Sequence, residues 1–210
     1  MPAKLATKSL YSVHPGLSMV QSSMRNLLER TGKSADEWVA IVRKQGPPDE
    51  KARREWLKTA HGFTTNYAGW IAELSVGKGR DHTDPDEYLA SAEKYVEDMF
   101  AGKRAALRPV YDRLLKLGLA TGKDVKACPC QTIVPLYRHH VFAEIKPATN
   151  SRIDMGFALR DRKPTGRLVD TGGFAKKNRI THRIPLASVD DIDDDIARWL
   201  TIAYDLDAAK

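Results

Sequence analysis

At residues 152–159 the chain reads RIDMGFAL, in which large apolar side chains alternate with polar or small ones. Successive side chains of a β-strand point to opposite faces, so the large apolar members share one face: Ile153, Met155, Phe157 and Leu159. One buried face and one solvated face are typical of an antiparallel sheet that is covered on one side. This stretch therefore predicts such a sheet, with its polar face toward water.

Further segments with the same period of two lie on both sides of this stretch. They cover residues 132–138, 141–146 and 180–186, and we predict each of them as a strand of the same sheet. After them, Ser188 and Asp191 mark the start of a final helix, whose apolar residues recur at helical spacing. Strands flanked by helices, without strict alternation of the two, indicate the α+β class.

The first half of the chain shows the 3.6-residue period of amphipathic helices instead. Ser34 followed by Glu37 matches a capping box at the start of one of these helices. Asp84 directly before Pro85 matches another helix start, since proline is favoured at the first helical position. We therefore predict several short helices, each with its own start and stop signals, before the sheet begins.

The segment GKGRDHT at residues 77–83 has no apolar periodicity and is the predicted linker between two domains. Before it, residues 1–76 are predicted to form a small helical N-terminal domain. After it, residues 84–210 are predicted to form an α+β domain, in which an antiparallel sheet packs against helices.

Composition places the chain among ordinary globular proteins, since 42% of its 210 residues are hydrophobic and 29% are charged. No stretch approaches the roughly 18 apolar residues that a membrane span needs, and we expect no membrane partner. Residues 1–10 contain Lys4 and Lys8 but no apolar core, which predicts the absence of a signal peptide. The two cysteines form no disulfide framework, and the expected location is the cytoplasm.

The net charge of +7 is concentrated in one region of the sequence. Residues 138–183 hold eleven lysines and arginines but only four acids, so their excess of seven equals that of the whole chain. A basic region of this kind favours binding to nucleic acid or to a phosphorylated ligand. The alternative is a solvated surface whose charges pair with one another across strands.

The helical half resembles the N-terminal domain of a bacterial family of unknown function. The motifs that support this resemblance are TGK at residues 31–33, Trp38, WLK at residues 56–58, Asn66 and Ala68. The sheet half resembles a second domain that is often paired with the first. Its motifs are VFAEI at residues 141–145, THR at 181–183, WL at 199–200 and AY at 203–204.

The resemblance implies the same two-domain architecture but no catalytic residues. Similar second domains carry a loose transport-related label, and some relatives are joined to predicted nuclease modules. No protein partner follows from the resemblance, so it adds little to the prediction of function.

Several enzyme classes are excluded by their missing motifs. Gly32-Lys33-Ser34 resembles the end of a phosphate-binding loop, but the glycine that such a loop requires upstream is replaced by Leu27. The chain contains neither the HExxH motif of zinc proteases nor the GxSxG elbow of serine hydrolases. We therefore lean toward a non-enzymatic protein without a cofactor.

Cys128 and Cys130, followed by His139 and His140, are the sharpest metal hypothesis in the sequence. Two thiolates and an imidazole from neighbouring strands are ligand types that zinc accepts. Structural zinc sites more often show two cysteine pairs or a complete Cys/His set, so the favoured interpretation is two structural cysteines. The prediction is no metal site.

The main functional hypothesis concerns the sequence TGGFAKKNR at residues 171–179, called the basic loop below. Its glycines would let backbone amides approach a phosphate, and its cations would add phosphate contacts. Phe142 is predicted on the wet sheet face, where its ring could stack on a base. The candidate ligand-binding residues are Phe142, Arg152, Gly172, Gly173, Lys176, Lys177, Arg179, His182 and Arg183.

His182 also has a structural interpretation, because it lies in line with Ile180 and Ile184 on an apolar strand face. A histidine in that position is more often a hydrogen-bonded core residue than a ligand-binding one.

Two alternatives to polyanion binding stay open. The first is a small-molecule or enzymatic pocket between sheet and helices near His182 and Arg183, and the second is a protein-interaction module formed by the N-terminal helices.

Overall fold

A computed structural model describes residues 9–208 of the chain. Residues 1–8, in which no signal peptide is predicted, and residues 209–210 lie outside the described residues. The described chain divides into two compact units. We call Val13–Ser91 the helical unit, and residues 9–12 together with 92–208 the sheet unit. The predicted domain bounds at residues 76 and 84 stay a prediction.

The helical unit contains four complete helices, whose starts and stops follow local sequence signals. They are α1 (Gly16–Thr31), α2 (Ala35–Gln45), α3 (Glu50–His61) and α4 (Thr65–Ser75). The capping box predicted at Ser34 and Glu37 is present at the start of α2. Gly32 after α1 and Gly62 after α3 have left-handed backbone angles, which glycine adopts without steric cost. The helical character predicted for this part of the chain is therefore confirmed.

Apolar residues from these helices form a core of their own inside the helical unit. Its buried members are Leu27, Trp38, Val39, Val42, Leu57, Phe63, Ala68, Ile71 and Ala72. A short 3-10 turn, Arg80–His82, follows within the segment that was predicted as a linker. The next helix, α5 (Pro85–Met99), begins as predicted, because the side chain of Asp84 accepts hydrogen bonds from the backbone of Asp86 and Glu87.

The sheet unit contains the end of α5, two further helices and six strands. The helices are α6 (Arg108–Ala120) and α7 (Asp194–Ala208). The strands are β1 (Lys126–Ala127), β2 (Val134–Tyr137), β3 (Val141–Pro147), β4 (Ile153–Phe157), β5 (Val169–Asp170) and β6 (His182–Leu186). No helix within residues 9–208 has the length and apolar character needed to cross a membrane.

All neighbouring strands pair antiparallel, in the order β1-β2-β3-β4-β6-β5. In the β4–β6 pair, Met155 faces Ile184 and Phe157 faces His182, so these side chains share the buried face. The apolar side chains on that face pack against apolar residues of α6 and α7, such as Leu114 and Trp199, to form one core. The predicted α+β class, with helices followed by an antiparallel sheet packed against helices, is confirmed.

Two details differ from the sequence prediction. The strands β1 and β5 were not predicted, because two residues are too short to show a period. The capping box at Ser188 and Asp191 starts only a 3-10 turn, Val189–Asp191, and not the final helix. Helix α7 begins at Asp194, where the side chain of Asp193 accepts hydrogen bonds from the first turn.

Candidate functional site

Residues 173–178 of the basic loop form a single turn, which is closed by two nested backbone hydrogen bonds. The backbone N–H of Asn178 donates to the carbonyl of Gly173 at 2.8 Å, and that of Lys177 donates to the carbonyl of Phe174 at 3.0 Å. Lys177 has a left-handed backbone angle, with φ of +58°. This pair of bonds with a left-handed residue is the Schellman motif, which holds Phe174 and Lys177 in defined positions.

The two glycines of the basic loop serve the fold of the loop, which corrects the prediction that their amides meet a phosphate. The N–H of Gly172 donates to the Asp170 side chain at 2.7 Å, and the N–H of Gly173 donates to the Thr171 hydroxyl at 3.2 Å. Gly172 has a φ of +67°, and a Cβ on Gly173 would lie 2.5 Å from the carbonyl oxygen of Ile180. Gly172 is therefore favoured by its left-handed backbone, and Gly173 by the lack of space for a Cβ.

The eleven cations of residues 138–183 fall into two groups. Five arginines form ion pairs with carboxylates: Arg138 with Asp124, Arg152 and Arg183 with Asp154, Arg167 with Asp193, and Arg179 with Asp207. The other six cations form no ion pair with any residue in the described part of the chain: Lys146, Arg160, Arg162, Lys163, Lys176 and Lys177. The second group has charge that no ion pair compensates, whereas the five arginines of the first group share four carboxylates, since Asp154 serves two of them.

Two members of the second group, Arg160 and Lys177, line one cleft of the sheet unit. This cleft has a volume of about 570 Å³. Its lining residues include Arg160, Phe174, Lys177, Arg179 and Asp207. Arg162 and Lys163 lie two and three positions after Arg160, and Lys176 precedes Lys177, so each lining cation belongs to an exposed basic segment. We use the term unpaired cations for Arg160, Arg162, Lys163, Lys176 and Lys177.

Backbone geometry sets Arg160 and Lys177 apart from the rest of the described chain. They are the non-glycine residues of positive φ within residues 9–208, with values of +59° and +58°. Such angles cost an L-residue about 1–2 kcal/mol, and glycine would adopt them without that cost. Residues held at such angles cluster at binding and active sites, so Arg160 and Lys177 are candidates for a functional role.

Asp207 anchors the wall of this cleft and neutralises Arg179. Its buried carboxylate accepts hydrogen bonds from the backbone N–H groups of His139 and His140, both at 2.8 Å, and is ion-paired with Arg179. The His140 ring nitrogen Nδ1 lies 3.1 Å from the same carboxylate. Burial raises the pKa of Asp207, but these hydrogen bonds and the Arg179 charge outweigh it and hold the pKa below its usual 3.8.

Arg179, predicted as a phosphate contact, is therefore mainly a structural residue. Besides Asp207, its guanidinium donates to the carbonyl of Val141 at 2.8 Å. Its charge is compensated, although about half of its side chain remains exposed in the cleft. Lys176 and Lys177, which were also predicted as phosphate contacts, are exposed and have no ion pair within the described residues. Their charges therefore remain available to a ligand.

A second cleft, of about 440 Å³, lies on the polar face of the sheet and is lined by Glu144, Lys146, Asp154 and Arg183 among others. Arg183 and Arg152 share Asp154, at 2.5 Å and 3.0 Å, so their predicted phosphate contacts compete with an internal carboxylate. Burial raises the pKa of Glu144, and the nearby Lys146 charge only partly opposes this. On this face two carboxylates, Glu144 and Asp154, stand against three cations, which leaves a small positive excess.

Phe142 and His182 do not belong to any exposed site, which corrects two predicted ligand-binding residues. Phe142 is fully buried, and its ring packs edge-on against that of Tyr204 in α7, with 5.7 Å between the centroids. His182 is 1% exposed, because its register opposite Phe157 turns it toward the core. Its ring nitrogens lie 2.8 Å from the Thr181 hydroxyl and 2.7 Å from the Arg162 carbonyl. His182 is thus the hydrogen-bonded core residue of the alternative interpretation.

The ligand-binding residues predicted from the sequence included neither Arg160 nor Phe174, although Phe174 lies within the basic loop. Phe174 is 54% exposed. The one sequence feature that could have indicated this exposure is its position in a polar loop. No sequence feature indicated Arg160, because its place in the cleft depends on a left-handed backbone angle and on a distant contact. Its guanidinium donates a hydrogen bond at 3.1 Å to the carbonyl of Leu206, 46 residues away.

The cysteines show no geometry of a metal centre. Within residues 9–208, no cluster of three or more histidine, cysteine, aspartate or glutamate side chains could hold a metal ion. Burial raises the pKa of the Cys128 thiol to about 12 and also raises that of Cys130, so both remain thiols at neutral pH.

Comparisons with known proteins identify two family matches. Residues 96–207, which are 112 of the 210 residues, match the family described as Domain of unknown function (DUF5655). Residues 19–75 match the family described as Domain of unknown function (DUF4287). No curated protein and no solved structure matches the chain. The two matches agree with the two-domain resemblance inferred from sequence motifs.

Proposed function

Because the chain belongs to the DUF5655 family, whose description assigns no activity, we propose a function from the site alone: the sheet unit binds nucleic acid through its phosphates. The observation that supports this proposal is the pair Arg160 and Lys177 in one cleft, with the other three unpaired cations close to them in the sequence. The two segments that supply them, residues 160–163 and 174–177, contain a single acid, Asp161. Their local charge is therefore +4.

Phosphate binding follows from the physical chemistry of such a surface. Each lysine or arginine that meets a phosphate releases a condensed counterion, and this release drives association at low salt. An arginine that already faces a carboxylate contributes little to this effect, because its charge is compensated. The unpaired cations are therefore better candidates for phosphate contacts than Arg152, Arg179 and Arg183.

The salt dependence of binding by the full chain tests this proposal. We expect labelled single-stranded DNA to show binding by fluorescence anisotropy that weakens steadily as salt is raised. With four to five phosphate contacts, the logarithm of the affinity should fall with the logarithm of salt at a slope of about −3. No binding at low salt, or binding with a slope near zero, would contradict the proposal.

A small anionic ligand in the second cleft is the other candidate, favoured by the raised pKa of Glu144 beside Lys146 and Arg183. A site of that kind binds one compound to saturation and depends less on salt, because few counterions are released. A flat salt slope together with saturation by one phosphorylated compound would favour this candidate over nucleic acid.

A further inference from the structure

The exposed ring of Phe174 is the feature of this cleft that phosphate binding does not use. The ring is 54% exposed, whereas the aromatic rings of Phe100, Tyr111, Phe157 and Trp199 in the same unit are at most 4% exposed. Leaving a large apolar ring in water forgoes the free energy that its burial would contribute. The Schellman turn holds Phe174 in this position, so the exposure is built into the loop.

The cleft has an apolar part and a cationic part. Ala158, Ala175 and Leu206 line it together with Phe174 and supply its apolar surface. Arg160 and Lys177 line the same cleft and supply its charge. A ligand that satisfies both parts has a flat apolar face directly joined to an anionic group. A nucleotide unit, with its base and its phosphate, has this chemistry.

We propose that the cleft takes single-stranded nucleic acid, with one base stacked on Phe174 and the adjoining phosphate against Lys177 and Arg160. This inference rests on the proposed function and specifies its substrate class. The volume of about 570 Å³ is in the range of pockets that hold small ligands, so one nucleotide fits. A duplex keeps the faces of its bases inside the stack, and Phe174 could not reach them. An unpaired strand presents those faces, and stacking on aromatic side chains is how such strands are commonly bound.

The test compares Phe174→Leu and Phe174→Trp with the unaltered full chain. The leucine variant keeps an apolar side chain but removes the aromatic face, while the tryptophan variant preserves it. The probes are a labelled oligothymidylate, a labelled DNA hairpin duplex and inorganic polyphosphate, which has the anionic chain without bases. Since the side chain is exposed, thermal melting should show that both variants remain folded.

We expect Phe174→Leu to weaken oligothymidylate binding by about tenfold at constant salt, and Phe174→Trp to retain it. Polyphosphate affinity and the salt slope should not change, because the cations are intact. If the duplex binds as tightly as the single strand, or if Phe174→Leu leaves oligothymidylate binding unchanged, the stacking inference is overturned while phosphate binding stands. If none of the three probes binds at low salt, the proposed function itself fails.

Discussion

Replacing Lys176 and Lys177 together with alanine is expected to weaken the binding of single-stranded DNA by about 50-fold at about 50 mM salt. Neither lysine has an ion pair within residues 9–208, so their removal leaves no buried acid without a partner. The loss reflects two missing phosphate contacts. The salt slope should become shallower by about 1.4, since each contact to a single strand contributes about 0.7. Fluorescence anisotropy across a salt series measures both quantities.

The matched control for this variant is Lys103→Ala with Lys116→Ala. These lysines are exposed, belong to the sheet unit and also lack an ion pair among the described residues. Both double variants lower the net charge from +7 to +5, so a general electrostatic effect would weaken binding equally. We expect the control to bind within about twofold of the unaltered chain. Equal losses in the two variants would show that binding does not depend on the basic loop.

Replacing Asp207 with alanine is expected to lower the free energy of unfolding by about 3 kcal/mol, because three donors then lose their buried acceptor. These donors are the backbone N–H groups of His139 and His140 and the guanidinium of Arg179. For a chain of this size, the melting temperature should fall by about 9 °C. Asp205→Ala, an exposed position on the same helix, should change stability by less than about 0.5 kcal/mol.

The effect of Asp207 should depend on pH in a defined direction. Its folded-state pKa is lowered, so the stability that it contributes is present above the usual pKa of 3.8 and is lost as pH falls through the folded value. The difference in melting temperature between the unaltered chain and Asp207→Ala should therefore be largest near neutral pH and should narrow below about pH 4. Equal melting temperatures at pH 7 would show that Asp207 does not anchor the cleft.

Local signals in the sequence predicted the helices and the main strands. The capping box at Ser34 and the cap at Asp84 each involve residues within a few positions of each other. Whether these caps form therefore depends little on the rest of the fold. The alternation at residues 152–159 likewise predicted β4 (Ile153–Phe157) and its buried face. These features were predictable because one segment contains the whole interaction.

The candidate site was less predictable, because its charges are sorted by contacts between distant segments. Arg179 is neutralised by Asp207, 28 residues away, and Arg183 by Asp154, 29 residues away. Nothing in the basic loop distinguishes Arg179 from its neighbours Lys176 and Lys177 before the strands are paired. Composition therefore identified the basic region, while the fold decided which of its cations are unpaired.

The burial of Phe142 and the exposure of Phe174 were also not predictable from the residues next to them in the sequence. Alternation along β3 (Val141–Pro147) predicted that Phe142 faces water, but Tyr204 of α7 covers its ring. Phe174 lies in a segment without any period, so its exposure follows from the Schellman turn that holds it. An aromatic residue at such a turn is a useful signal only after the turn has been identified.

The most direct test of the central claim is to map the binding surface by nuclear magnetic resonance. Amide chemical shifts of the isotope-labelled full chain would be followed while an oligothymidylate is added at low salt. We predict that the largest shift changes occur in residues 158–163 and 174–177, which line or adjoin the first cleft but not the second. Changes concentrated in the helical unit or around the second cleft, or no changes at all, would contradict the account.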